Sequence, residues 1–216
     1  MNVKAVLDRV CSMFVNREKK RYPRERFVLP KEWEALFPVL QSQPTKVRIY
    51  FSLLFLLGSR MSELRTARWL DLDLDAGLWH KTKTKNGRRQ IVPLGPEVIA
   101  LLRQLPVTGV YVFQGDRSKG GNADQPWSRT AVQHWWRRIR SAAGCRDVQI
   151  RDIRRTAATW MVQSGENLMT IKEILNHSSV SITQVYAKAD TSTQAAALDR
   201  HARRVMGGVV KVPMTA

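Results

Sequence analysis

Apolar residues recur along this chain mostly with a helical period, and with a strand period in only one short region. Val3, Val6, Leu7, Val10 and Phe14 share one helical face, predicting a helix over 2–16. Residues 17–26 interrupt the pattern with six basic and two acidic side chains and read as a linker. The period resumes at Leu29: Pro30 suits the first turn of a helix, and Trp33, Leu36, Phe37 and Leu40 form its stripe. Residues 45–57 are apolar nearly all round, which makes that helix central. Gly58 ends it, and a shorter helix follows over about 61–67.

The period then changes. Asp71-Leu72-Asp73-Leu74-Asp75-Ala76-Gly77 followed by Leu78-Trp79-His80 alternates around a glycine turn, predicting a hairpin. A third strand, Gln90-Ile91-Val92, follows a turn at Asn86-Gly87. Next come a helix at about 96–104, a short strand Val110–Phe113 and a polar loop 114–126. From Trp127 the helical period runs almost to Met206, broken near Gly144, Gly165, Ser178 and Asp190. The expected fold class is α+β, mostly helical, with one small three-stranded antiparallel sheet. The divisions are 1–28, an N-terminal helix and basic linker; 29–206, the compact domain; and 207–216, a tail.

At 216 residues the chain can bury a sizeable core. Cys11 and Cys145 lie far apart with no metal-ligand spacing, which fits a reducing compartment. The longest apolar run, Ile49–Leu57, is far short of the roughly 20 residues that span a bilayer. The N-terminus lacks an apolar signal core, and neither an internal repeat nor a low-complexity tract is present. The expectation is a soluble, cytoplasmic protein with no membrane partner. Charge changes the picture: 36 Lys+Arg stand against 18 Asp+Glu, a net +18. A globular chain with that bias usually meets a polyanion, most often nucleic acid. Half of the cations fall in three stretches, six in 17–26, five in 81–89 and seven in 137–155, which favours a directed face.

Four local patterns carry candidate chemistry. Gly58-Ser59-Arg60-Met61-Ser62-Glu63-Leu64 puts an arginine just after a glycine helix stop. Lys81-Thr82-Lys83-Thr84-Lys85-Asn86-Gly87-Arg88-Arg89 is a hairpin tip with five cations. Arg151-Asp152-Ile153-Arg154-Arg155-Thr156 sets Arg151 and Arg154 on one helical face. Ile174-Leu175-Asn176-His177 is followed nine residues after the histidine by Tyr186. Each alone has an ordinary explanation: a helix C-terminus that favours arginine, an edge guarded by lysines, a solvated helix face, a structural His or Tyr. Together they suit one reaction. Two arginines grip a phosphodiester through forked N–H groups, a lysine protonates a leaving alkoxide, a histidine binds a phosphoryl oxygen, and a tyrosine attacks. Fixed cations would meet the charge on phosphorus.

In order and spacing, G-x-R-x-x-E-L, the lysine hairpin ending Ile91-Val92-Pro93-Leu94, R-x-x-R, and L-x-H with its later Tyr resemble the tyrosine recombinase (phage integrase) catalytic domain over about residues 29–205. The resemblance implies breakage and rejoining of double-stranded DNA through a 3′-phosphotyrosyl link, without metal, ATP or other cofactor, in a bacterial or phage-encoded protein. It implies Tyr186 as nucleophile, Arg60 and Arg154 as the phosphate clamp, Lys85 as general acid and His177 on the phosphoryl oxygens. Lys83 fits less well than Lys85, because the family lysine lies eight residues before the proline that is Pro93 here. Glu63 would orient the arginines from behind, and Lys81, Lys83, Arg88, Arg89 and Arg155 would contact DNA. A homo-oligomer, a tetramer on DNA, follows from the same resemblance, as does docking of a helix at about 192–205 onto a neighbouring subunit.

Two departures stand out. The family commonly has His where this chain has Arg151, and an arginine cannot accept the tyrosine proton. Arg151 can still bind phosphate or lower the tyrosine pKa, so the expected site is assembled but slow. Residues 1–28 resemble at most the last helix and linker of a core-binding domain. Rival readings are a type IB topoisomerase-like relaxase, a non-catalytic DNA-binding integrase remnant and, more distantly, a metal-dependent nuclease. The acidic run Asp71–Asp75 is not an EF-hand, since Ala76 and Thr82 stand where Gly and Glu are needed. Trp135-Trp136 could stack on bases, but Val132, Trp135, Trp136 and Ile139 read as a core face.

Overall fold

A computed structural model describes residues 26–81, 89–115 and 125–176. The expected helix at 2–16, the breaks at Ser178 and Asp190 and the helix at 192–205 lie outside the described residues. The elements are α1 (Pro30–Gln41), α2 (Thr45–Leu57), α3 (Met61–Arg65), β1 (Leu72–Asp73), β2 (Leu78–Lys81), β3 (Gln90–Pro93), α4 (Pro96–Arg103), α5 (Arg129–Ala142), α6 (Ile150–Gln163) and α7 (Leu168–Leu175). Among the described residues the fold is mostly helical, with one three-stranded antiparallel sheet in the order β1-β2-β3.

Helix α2 is the hub, because it has no polar face to turn to water. Eight of its thirteen residues are buried, and it packs against α1, α3, α4 and α6. Phe51 and Phe55 pack on Trp136 of α5, and Phe55 stacks on Trp160 of α6. Tyr50 meets Phe113 edge-on at 4.8 Å and gives its hydroxyl proton to Met61 O (3.0 Å), which removes it from reaction. Trp136 is buried, with its indole N–H on Val148 O, so the core reading of this tryptophan holds. Trp135 is partly buried beneath the Arg138 guanidinium.

Sheet register is set by the inward face, where Trp79 pairs with Val92 and Lys81 with Gln90. The first strand is shorter than alternation predicts. A 3₁₀ turn occupies Trp69–Asp71, and Asp73 Oδ1 accepts the N–H groups of Asp75 and Ala76 to start the β1–β2 turn. The expected strand Val110–Phe113 is absent: Tyr111 makes an isolated bridge to Arg68, and Val112 N–H bonds Ala67 O. That backbone pairing also draws Ala67 out of the helix expected over 61–67, which ends at Arg65. Helices α5 and α6 stop just before the glycine breaks expected from the sequence, with Gly144 and Gly165 at positive φ. Among the described residues no helix is long and apolar enough to cross a membrane.

Candidate active site

The site is built where three segments meet: the α2–α3 joint, the last described rung of the β2–β3 ladder at Lys81 and Gln90, and the C-terminus of α7. Gly58 ends α2 in the left-handed region, φ +56°, which costs a glycine nothing and most residues about 1 kcal/mol or more. A Cβ there would lie 2.7 Å from Leu175 Cδ2 and 3.2 Å from the Ala157 Cβ, so α2, α6 and α7 converge on this glycine. Arg154, on α6, ties the convergence together. Its Nη1 donates to Gly58 O (2.9 Å) and its Nη2 to Leu175 O, two carbonyls that the helix ends leave unsatisfied. A guanidinium suits this task because its planar fork spans two acceptors that a lysine's single nitrogen cannot.

Arg60 is the N-cap residue of α3. Glu63, one turn on, accepts the Arg60 backbone N–H through Oε2 (3.2 Å) and the Arg60 guanidinium Nη1 through Oε1 (2.7 Å). The carboxylate is nearly buried, while the Arg60 side chain keeps about a quarter of its surface in solvent. Lys81, at the end of β2, approaches from the far side with Nζ 3.1 Å from Glu63 Oε2 and 4.3 Å from the centre of the Trp79 ring. Burial pushes the Glu63 carboxyl up, but Lys81 and Arg60 outweigh it and hold the group below the ordinary glutamate value. Burial also lowers Lys81, with Glu63 opposing and the charges of Arg154 and Arg60 adding to the lowering. One carboxylate therefore stands between two cations, Arg60 and Lys81.

The remaining expected residues divide. Arg151 is exposed in the first turn of α6, Arg154 and Arg155 are half-buried on the same helix, and Arg89 is exposed just before β3. Lys83, Lys85, Arg88, His177 and Tyr186 lie outside the described residues. Lys81 departs from expectation. Read as a DNA-facing cation of the hairpin, it instead points inward and is buried, because period-two alternation puts it on the face of Trp79. Gln90, opposite Lys81 on β3, was not singled out in sequence. Its Nε2 donates to Glu173 O (2.8 Å) and Ile174 O (3.0 Å), fastening the hairpin to the end of α7 just before His177. The cross-strand register was the signal that could have found it, once Trp79 was fixed as inward.

The sequence profile of the phage integrase family matches residues 26–193. The chain belongs to the phage integrase family. Among phage integrase relatives, the tyrosine recombinase XerC of Xanthomonas axonopodis pv. citri is 33% identical over 139 residues, covering 62% of this chain and 43% of the relative. The crystal structure of XerA recombinase superposes with a TM-score of 0.66 at 22% identity, covering 86% of this chain and 67% of that one. The Tn1549 transposon integrase in complex with transposon right end DNA gives 0.68 at 17% identity, covering 88% and 70%. These two likenesses show a shared fold. The chain spans about half the length of the curated relatives it matches.

Proposed function

We propose that this phage integrase breaks and rejoins double-stranded DNA at specific sites through a transient 3′-phosphotyrosyl link. One observation carries the reading: Arg60 and Arg154, 94 positions apart in sequence, are each locked by the protein at one joint, Arg60 by Glu63 and Arg154 by two helix-end carbonyls. Locking arginines in advance avoids reorganisation when charge builds on a phosphate. Family membership and the DNA-bound state of a structural relative support duplex DNA as the partner.

In this reading Tyr186 Oη releases its proton to solvent water as it attacks the scissile phosphorus, and the P–O5′ bond breaks. The 5′-oxygen takes a proton from the Lys85 ammonium, and Arg60, Arg154 and His177 hold the phosphoryl oxygens. Attack by a 5′-hydroxyl on the phosphotyrosine reverses each step and joins the strands. Arg151 adds positive charge beside the phosphate without accepting the tyrosine proton. The protein acts in the cytoplasm of a bacterial or phage-infected cell as a homo-oligomer, a tetramer on two duplexes. The chain's resemblance to recombinases by name favours exchange between duplexes over relaxation of one.

The test is covalent trapping. Incubated with nicked suicide duplexes, the protein is expected to yield an SDS-resistant protein–DNA adduct that Tyr186→Phe abolishes and EDTA leaves unchanged. Absence of an adduct across a broad library of duplex sequences would overturn catalysis and leave a DNA-binding protein. Where adduct forms, joining of two duplexes rather than relaxation of a supercoiled plasmid is expected.

A further inference from the structure

We infer that Lys81 is a positioning residue for the arginine clamp: it holds Glu63 so that Arg60 keeps one edge of its guanidinium, and its full charge, for a phosphate. The inference rests on the recombinase reading of the site.

The geometry of Glu63 carries the argument. Arginine and carboxylate side chains commonly meet through two parallel N–H···O bonds. Here the side chains meet through one, Nη1 to Oε1 at 2.7 Å. The other oxygen, Oε2, is occupied by the Arg60 backbone N–H at 3.2 Å and by Lys81 Nζ at 3.1 Å. Remove Lys81, and Oε2 keeps only the longer of those bonds. The Arg60 fork can then close on both carboxylate oxygens, turning away the donors that a phosphate needs. Charge points the same way. Arg60 and Glu63 alone sum to zero, which leaves no net attraction for an anion, whereas the trio with Lys81 carries +1.

A lysine this deeply buried is an expensive way to fill space. Its side chain is only 5% exposed, and the desolvation of its ammonium is offset by Glu63 and by the face of Trp79. An apolar side chain of similar length would pack there without that cost, so the charge itself is what the position supplies. Lys81 also sits at the last described rung of the β2–β3 ladder, opposite Gln90, which binds the end of α7. The rung thus joins the element carrying Arg60 to the element leading into His177.

The experiment compares wild type, Lys81→Met, Lys81→Arg, Glu63→Gln and the double variant Lys81→Met/Glu63→Gln, all as the full chain on a nicked suicide duplex. Affinity and single-turnover adduct formation are measured separately. Lys81→Met is expected to bind duplex within about twofold of wild type but to cleave about tenfold more slowly or worse, and Lys81→Arg to recover most of the rate. In the Glu63→Gln background, Lys81→Met is expected to cost little more, because a neutral amide does not compete for the second Arg60 edge. Lys81→Leu takes the place of the Met variant if the latter unfolds below assay temperature, with the same loss expected, since it removes both the charge and the donor to Glu63 Oε2. Wild-type cleavage by Lys81→Met overturns the inference. So does weaker binding with unchanged cleavage and a salt slope smaller by about one, the mark of a phosphate contact. A wild-type chain that forms no adduct fails the recombinase reading itself, an outcome visible before any variant is compared.

Discussion

Arg151 stands exposed in the first turn of α6, where the aligned backbone N–H groups of the helix start already present partial positive charge. A cation there opposes the helix dipole by roughly 0.3–1 kcal/mol, and the following Asp152 complements the same end. The position is therefore poor for stability and good for an anion approaching the helix start. It is equally poor for proton transfer, since an arginine stays protonated. Arg151→His is expected to speed single-turnover cleavage by about tenfold or more at neutral pH, because a general base contributes on that scale or above. Thermal stability should rise slightly as a fixed charge leaves the helix start. Single-turnover kinetics with Tyr186→Phe as blank check this, and an unchanged or lower rate would show that the proton goes elsewhere.

At the scale of elements, the joint of α2, α6 and α7 decides whether the arginines converge. Gly58→Ala would force a left-handed alanine and bring a methyl group to 2.7 Å from Leu175. Backbone strain and overpacking together should cost about 2–4 kcal/mol, read as a lower urea midpoint with unchanged slope. Cleavage should fall further than binding, since Arg154 hangs on the carbonyl of that same glycine. The helices were legible because their apolar stripes are long and their ends are marked by Gly58, Gly144 and Gly165 at positive φ. The sheet was legible as a hairpin, although β1 is cut short by a 3₁₀ turn that alternation does not encode. Val110–Phe113 looked like a strand because it is apolar, yet what it pairs with is single rungs on Arg68 and Ala67, a tertiary choice. The motifs single out Arg60 and Arg154 as candidates, but they do not show what holds them. The carbonyls of Gly58 and Leu175 have no side-chain signature, and Lys81 reads from charge alone as one more hairpin cation.

At the scale of the molecule, the net +18 is uneven in kind, and among the described residues two sets of cations have different physics. Arg89, Arg129, Arg137, Arg138, Arg146 and Arg151 are exposed and screened by salt within about 10 Å at 0.1 M. Lys81 is buried against Glu63, and Arg154 half-buried against two carbonyls, where salt reaches poorly. If the exposed set tracks a phosphate backbone, binding releases counterions, and six or more contacts cost about a thousandfold in affinity between 50 and 200 mM salt. If the inner set acts on one phosphate already in place, its work is done after the counterions have gone. Duplex affinity is therefore expected to fall with salt at a log–log slope of about −5 or steeper. The single-turnover cleavage rate at saturating protein should change by less than about threefold over the same range. Filter binding and quench-flow on one duplex measure both. A cleavage rate that fell in step with affinity would mean that the arginine clamp is itself assembled by long-range charge, rather than by the short bonds to Glu63, Gly58 and Leu175 that hold it in the free protein.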